Sequence, residues 1–162
     1  MKKNKRILGV VILIVAMLIL AATTVVLLIN LQNANKNKQN DNIASFKYEY
    51  GSFSEGYYLF NIENKDNEVT FTASGENGVK LNIQKQLSKE ELQKLSKIIN
   101  ENNIRNWDNF NGTNNSIMDG YSFDLHIVYE DGATVNAYGY HTYPRNYEKG
   151  HQALSDYLLS IK

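Results

Sequence analysis

A run of 25 residues without a single charge, "ILGVVILIVAMLILAATTVVLLINL" from Ile7 to Leu31, constrains this chain more than any other feature. As a helix rising ~1.5 Å per residue it reaches about 37 Å, more than the ~30 Å hydrocarbon core of a bilayer. Modest tilting absorbs the excess. A helix apolar all round could also sit inside a large core, but so long an uncharged run favours a transmembrane span. A cleavable leader shares the basic start and the apolar stretch. Its apolar region, however, runs to only ~7–15 residues and ends at a small-residue site. Here "LAATT" supplies small residues and "VVLLI" follows at once, so an uncleaved anchor is the reading adopted.

The charges around the run set its direction. Lys2, Lys3, Lys5 and Arg6 precede it, and only Lys36 and Lys38 follow soon after. The positive-inside bias then puts residues 1–6 in the cytoplasm as a basic stub. The predicted arrangement is a single-pass cell-membrane protein whose C-terminal domain lies outside the cytoplasm. Residues 7–31 take the lipid bilayer as their partner.

Four of the 17 basic residues lie in that stub, which leaves 13 against 17 acidic residues beyond it. A surface with that sign does not suit a polyanion, so no nucleic-acid partner is expected. The absence of cysteine excludes disulfides, thiolate metal sites, cysteine nucleophiles and a lipidated N-terminal Cys.

Residues 32–44, "QNANKNKQNDNIA", are polar and aperiodic and read as a flexible tether. As a random coil the segment reaches on the order of 20 Å. Residues 45–162 form the predicted extracytoplasmic domain, long enough for a core of its own. "SFKYEYG" puts Phe46, Tyr48 and Tyr50 on one face of a strand, and "GYYLFNIE", "EVTFTAS" and "VKLNIQK" repeat the two-residue period between polar turns. The period then lengthens. Leu92, Leu95, Ile98 and Ile99 have helical spacing, and Ser88 with Glu91 three residues on forms a capping box. Asn102 and Asn103 suit the helix exit. Trp107 is placed in the core, and "NGTNNSIMDG" reads as a loop. Two more strands follow, and then a helix with Tyr147, His151, Leu154, Leu158 and Ile161 on one stripe. The expected fold class is α+β. An antiparallel sheet of about six strands, in the order ββββαββα, carries two helices on one face.

The last hairpin allows its register to be argued. A two-residue Asp131-Gly132 loop mixes apolar and polar residues on both faces. A three-residue loop, Glu130-Asp131-Gly132 with the glycine left-handed, does not. It sets Tyr121, Phe123, Leu125, Ile127 and Tyr129 on one face with Ala133, Val135, Ala137 and Gly139. The other face shows Ser122, Asp124 and His126 opposite Tyr140, Tyr138 and Asn136. A Ser–His–Asp triad is excluded there, because same-face residues on a strand are ~7 Å apart and the aspartate, not the histidine, lies in the middle. Asp124 and His126 are too few ligands for zinc. The "DNFNGTNNSIMDG" loop misplaces its glycine for an EF-hand, and His151 reads as a structural histidine. No metal or cofactor is expected.

Trp107, Asp119-Gly120-Tyr121-Ser122, Asp131-Gly132 and "AYGYHTYP" before the closing helix together resemble a group of exported or membrane-anchored bacterial α+β domains. That pattern has a Trp, a D-G-x-S/W strand, a D-G turn and a G-x-x-x-Y-P lead into the last helix. The likeness covers about the last 60 residues. The group has no assigned activity, so the resemblance implies no functional residue, and Gly139 to Pro144 are expected to fix a strand-to-helix corner.

The expected functional surface is therefore the open face: Asp124, His126, Asn136, Tyr138 and Tyr140, extended by His141, Tyr143 and Arg145. Tyrosines with apolar rings and polar tips suit interfaces. The expected role is binding of an envelope glycan, peptide or protein without catalysis. The alternative is an envelope hydrolase using Asp124 and His126 as an acid–base pair.

Overall fold

The computed structural model describes Met17, Thr23, Thr24, residues 41–66 and residues 68–161. The chain divides into a unit of Met1–Gln39 and a unit of Asn40–Lys162. The predicted stub, span and most of the tether lie outside the described residues, apart from the helical Met17, Thr23 and Thr24. Among the described residues no helix is long and apolar enough to cross a membrane.

The second unit is an α+β fold whose strands are β1 (Ile43–Ser52), β2 (Gly56–Lys65), β3 (Glu68–Glu76), β4 (Asn82–Leu87), β5 (Phe110–Thr113), β6 (Ser122–Tyr129) and β7 (Thr134–Tyr140). Helix α1 (Lys89–Glu101) follows β4, a 3₁₀ turn spans Ile104–Trp107, and helix α2 (Tyr147–Ser160) closes the chain. The sheet starts at Ile43, inside the segment read as tether, and Ile43 is fully buried.

The strands form one sheet in the order β4-β3-β2-β1-β6-β7-β5. The expectation of about six antiparallel strands needs correction. The sheet has seven strands and is mixed, because β5 runs parallel to β7 at its edge. Its last three residues, Asn111 to Thr113, begin the stretch read as a loop. A four-residue edge strand with one neighbour needs only backbone pairing, so it carries no alternation by which to recognise it.

All the largest buried side chains of the strands point to one face. Phe46, Tyr48, Phe60, Ile62, Phe71, Phe123, Leu125 and Ile127 share a single core with Leu95 and Ile99 of α1 and Leu154 and Leu158 of α2. The capping box of α1 is formed: Ser88 Oγ accepts from the Glu91 amide at 3.2 Å, and Glu91 Oε2 accepts from the Ser88 amide at 2.8 Å. Trp107 is wedged against α2. A Cβ added to Gly150 would lie 2.5 Å from its ring, so the helix approaches this closely only because residue 150 has no side chain.

The β6–β7 register is the one argued from the pattern. Phe123 pairs with Gly139, Leu125 with Ala137 and Ile127 with Val135 on the buried face. Gly132 has φ +84°, its amide donates to the Tyr129 carbonyl, and the Tyr129 amide donates to that of Ala133. Large meets small for a steric reason: a Cβ on Gly139 would lie 2.3 Å from the Phe123 ring. The Gly139–Pro144 corner precedes the helix rather than opening it. Pro144 lies three residues before Tyr147, and Asn146 takes the left-handed conformation at the helix N-cap.

Candidate functional site

Because both helices take the same side, the opposite face of the sheet is built from the alternate residues alone. Strand order brings β1 between β2 and β6, so the face is wider than the hairpin suggested. One row of directly opposed residues runs Ser74–Leu59–Glu49–Asp124–Tyr138–Asn111 across β3, β2, β1, β6, β7 and β5. The neighbouring row runs Thr72–Asn61–Lys47–His126–Asn136. Opposed residues sit one strand spacing apart, ~4.8 Å, and adjacent rows ~7 Å apart.

Asp124, His126, Asn136 and Tyr138 are exposed on this face, and the structure brings all four together with Lys47, Asn109 and Asn111 around a shallow groove of about 620 Å³. A tighter recess of about 130 Å³ lies between Ile43, Val69 and Leu92. It falls below the ~300 Å³ at which ligand pockets begin.

The residues of the groove are held to different degrees. His126 Nδ1 and Asn136 Oδ1 are hydrogen-bonded across the hairpin. Asn136 also donates from Nδ2 to Thr134 Oγ1 at 3.2 Å, and its amide donates to Asp108 Oδ1 at 2.9 Å. The side chains of Asp124, Tyr138 and Asn111 make no hydrogen bond to the protein among the described residues. Glu49 faces Asp124 directly, and its carboxyl is held above the usual range, first by partial burial and then by the charges of Asp124 and Glu76, against the lowering effect of Lys47.

Tyr140 shares the face but does different work. Its hydroxyl accepts from the Gly120 amide at 2.9 Å and donates to the Ile117 carbonyl at 3.0 Å, which ties the 114–120 loop to the sheet. His141 has φ +50° and is exposed at the corner. Tyr143, 40% exposed, packs with Phe123 and Tyr147 on the helix side and so leaves the open face.

Sequence reasoning missed Lys47, Glu49 and Asn111. The first two were available as the residues alternating with Phe46, Tyr48 and Tyr50, but no local signal pairs β1 with β6. Asn111 belongs to the strand read as loop. Asp124 and His126 lie in adjacent rows on an exposed surface, and the ring nitrogen of His126 is engaged by an amide rather than a carboxylate. Among the described residues no group of three His, Asp or Glu side chains is placed to hold a metal ion.

The chain matches no protein-family model and none of the curated proteins compared with it. The motif residues Trp107, Asp119, Gly120 and Asp131 have structural duties. Asp119 Oδ1 accepts from the Phe53 amide at 3.1 Å, Gly120 fits beneath Tyr140, Asp131 Oδ1 accepts from the Ala133 amide at 3.0 Å, and Trp107 fills the core.

Proposed function

We propose that the protein is a single-pass, membrane-anchored receptor-like module whose domain stands outside the cytoplasm and binds an envelope ligand without transforming it. The apolar run of residues 7–31 and the basic stub before it support the anchor and its direction. The observation that carries the binding role is the helix-free face, where Asp124, Tyr138 and Asn111 stand side by side around an open groove with no protein partner among the described residues. Acid–base chemistry by Asp124 and His126 calls for an enclosed cleft that shifts proton affinities, and this unroofed surface favours binding over that alternative.

A photoreactive amino acid at position 138, used in intact cells before membrane solubilisation, tests the reading. A crosslinked species is expected that disappears in Asp124→Ala but persists in Lys149→Ala on the exposed side of α2. Equal labelling in both variants, or none above background, counts against it. Protease added to intact cells checks the topology: the domain should be cut without lysis.

A further inference from the structure

We infer that the row Asp124–Tyr138–Asn111 is a subsite for an uncharged sugar unit of a glycan, with the Tyr138 ring as its platform; this deepens, and rests on, the docking role proposed above. Tyr138 is 39% exposed, and its in-register neighbours are a carboxylate on one side and a primary amide on the other. Both lie ~4.8 Å away across the sheet. A pyranose has an apolar C–H face and a rim of hydroxyls, each able to donate and accept. An aromatic face supplies the matching apolar surface. A carboxylate accepts, an amide does both, and so they take hydroxyls in either sense.

Charge narrows the class. Lys47 stands beside Glu49 and Asp124, with His126 next to it, so neither sign dominates the groove. A polyanion needs a surplus of positive charge, and this surface has none. Backbone pairing narrows it again. Peptides that add to a sheet need an open edge, whereas β1, β6 and β7 are paired on both sides and the open edge on this side is the four-residue β5, at the rim of the groove rather than across it. The ligand must be read by side chains projecting from the face. The groove is unroofed, which lets a chain lie across several strands: Glu49 to Asn111 covers four of them, roughly 14 Å.

The test uses the full chain in detergent micelles, titrated with cellohexaose and chitohexaose as neutral probes and with oligogalacturonate as the anionic control. Saturable binding of a neutral hexasaccharide is expected, with little for the anionic one. Tyr138→Ala should weaken it about ten-fold or more, while Tyr138→Phe stays within about two-fold because the platform, not the hydroxyl, is essential. Unchanged thermal midpoints in both variants show that folding is not the cause. Binding indifferent to Tyr138→Ala, stronger binding of the anionic probe, or no neutral-sugar binding overturns the inference. The in-cell crosslink at position 138 separates the two levels. A crosslinked polypeptide without sugar binding leaves the docking role standing and removes the glycan, and failure of both removes both.

Discussion

The two faces of the sheet each hold a histidine hydrogen-bonded through Nδ1, and the contrast between them shows what the fold does with the same side chain. On the helix side His151 meets the Tyr48 hydroxyl at 2.7 Å, lies edge-on to Tyr50 with ring centroids 4.6 Å apart, and stacks on Tyr147 at 5.3 Å. Burial holds its proton affinity down, with Asp156 opposing, and the same burial raises that of Tyr48, Tyr50, Tyr121 and Tyr147. The Tyr48 hydroxyl is thus hydrogen-bonded to His151 Nδ1 and, across 3.4 Å, to the Tyr147 hydroxyl. On the open side His126 meets an amide among solvated neighbours. One face uses its polar atoms to close a core; the other presents them outward.

If that division is real, damage to the covered face should dominate stability. Trp107 is 1% exposed and packs on Phe123, Tyr147 and Gly150. Trp107→Ala is expected to cost about 3–5 kcal/mol, the range for emptying a large aromatic site. Chemical denaturation with an unchanged slope measures it. A loss under about 1 kcal/mol would mean that the core of α2 and the sheet can do without its wedge.

Tyr140 lies between the two classes, since it shares the open face but has an occupied hydroxyl. Tyr140→Phe orphans the buried Gly120 amide and the Ile117 carbonyl, an expected loss of about 1–3 kcal/mol. Hydrogen exchange at Gly120 should rise far more than at Leu125. Uniform acceleration would instead show that Tyr140 supports the whole fold, and no acceleration that it is an ordinary surface residue.

What was legible beforehand divides along the same physical line. The Ser88–Glu91 capping box, the helical stripe from Tyr147 to Ile161 and the Phe123–Gly139 register were readable because residues within one turn or one hairpin determine them. The placement of β1 against β6, and with it Lys47 and Glu49 in the groove, depends on pairing between segments some 80 residues apart. No local periodicity encodes that choice. β5 was missed for a related reason: Asn111 and Thr113 are polar and exposed at an edge, and Gly112 is there because a Cβ would lie 2.3 Å from Thr142 Oγ1, a contact made by a distant residue. The chemistry of the open face was visible as residue types, but its membership was decided by topology.

His151 supplies a pH-dependent version of the comparison. Its folded-state pKa lies below that of the unfolded chain, near 6.5, so the unfolded state binds the proton more readily. Its contribution to stability is whole above about pH 6.5, falls as pH drops from there to the folded-state value, and is level below it. Melting curves from pH 8 to 5 should show this decline in the native chain and a shallower one in His151→Gln. An unchanged slope in His151→Gln would show that this imidazole does not couple protonation to the fold.

The smallest effect is also the one with an unusual sign. Glu49 and Asp124 face each other directly, and like charges opposed across strands destabilise a sheet by a few tenths of a kcal/mol. Asp124→Asn keeps the shape and removes one charge, so at neutral pH it should leave stability unchanged or raise it by roughly that amount. The same change should let Glu49 ionise more easily, because the charge of Asp124 is one of the causes holding its proton on. Carboxyl titration followed by NMR in both chains reads this directly. A gain in stability combined with a loss of crosslinking at position 138 would mark Asp124 as a residue held for the ligand at a cost to the fold. A clear loss of stability would show that Asp124 belongs to the framework, and the open face would then be built for packing as the covered one is.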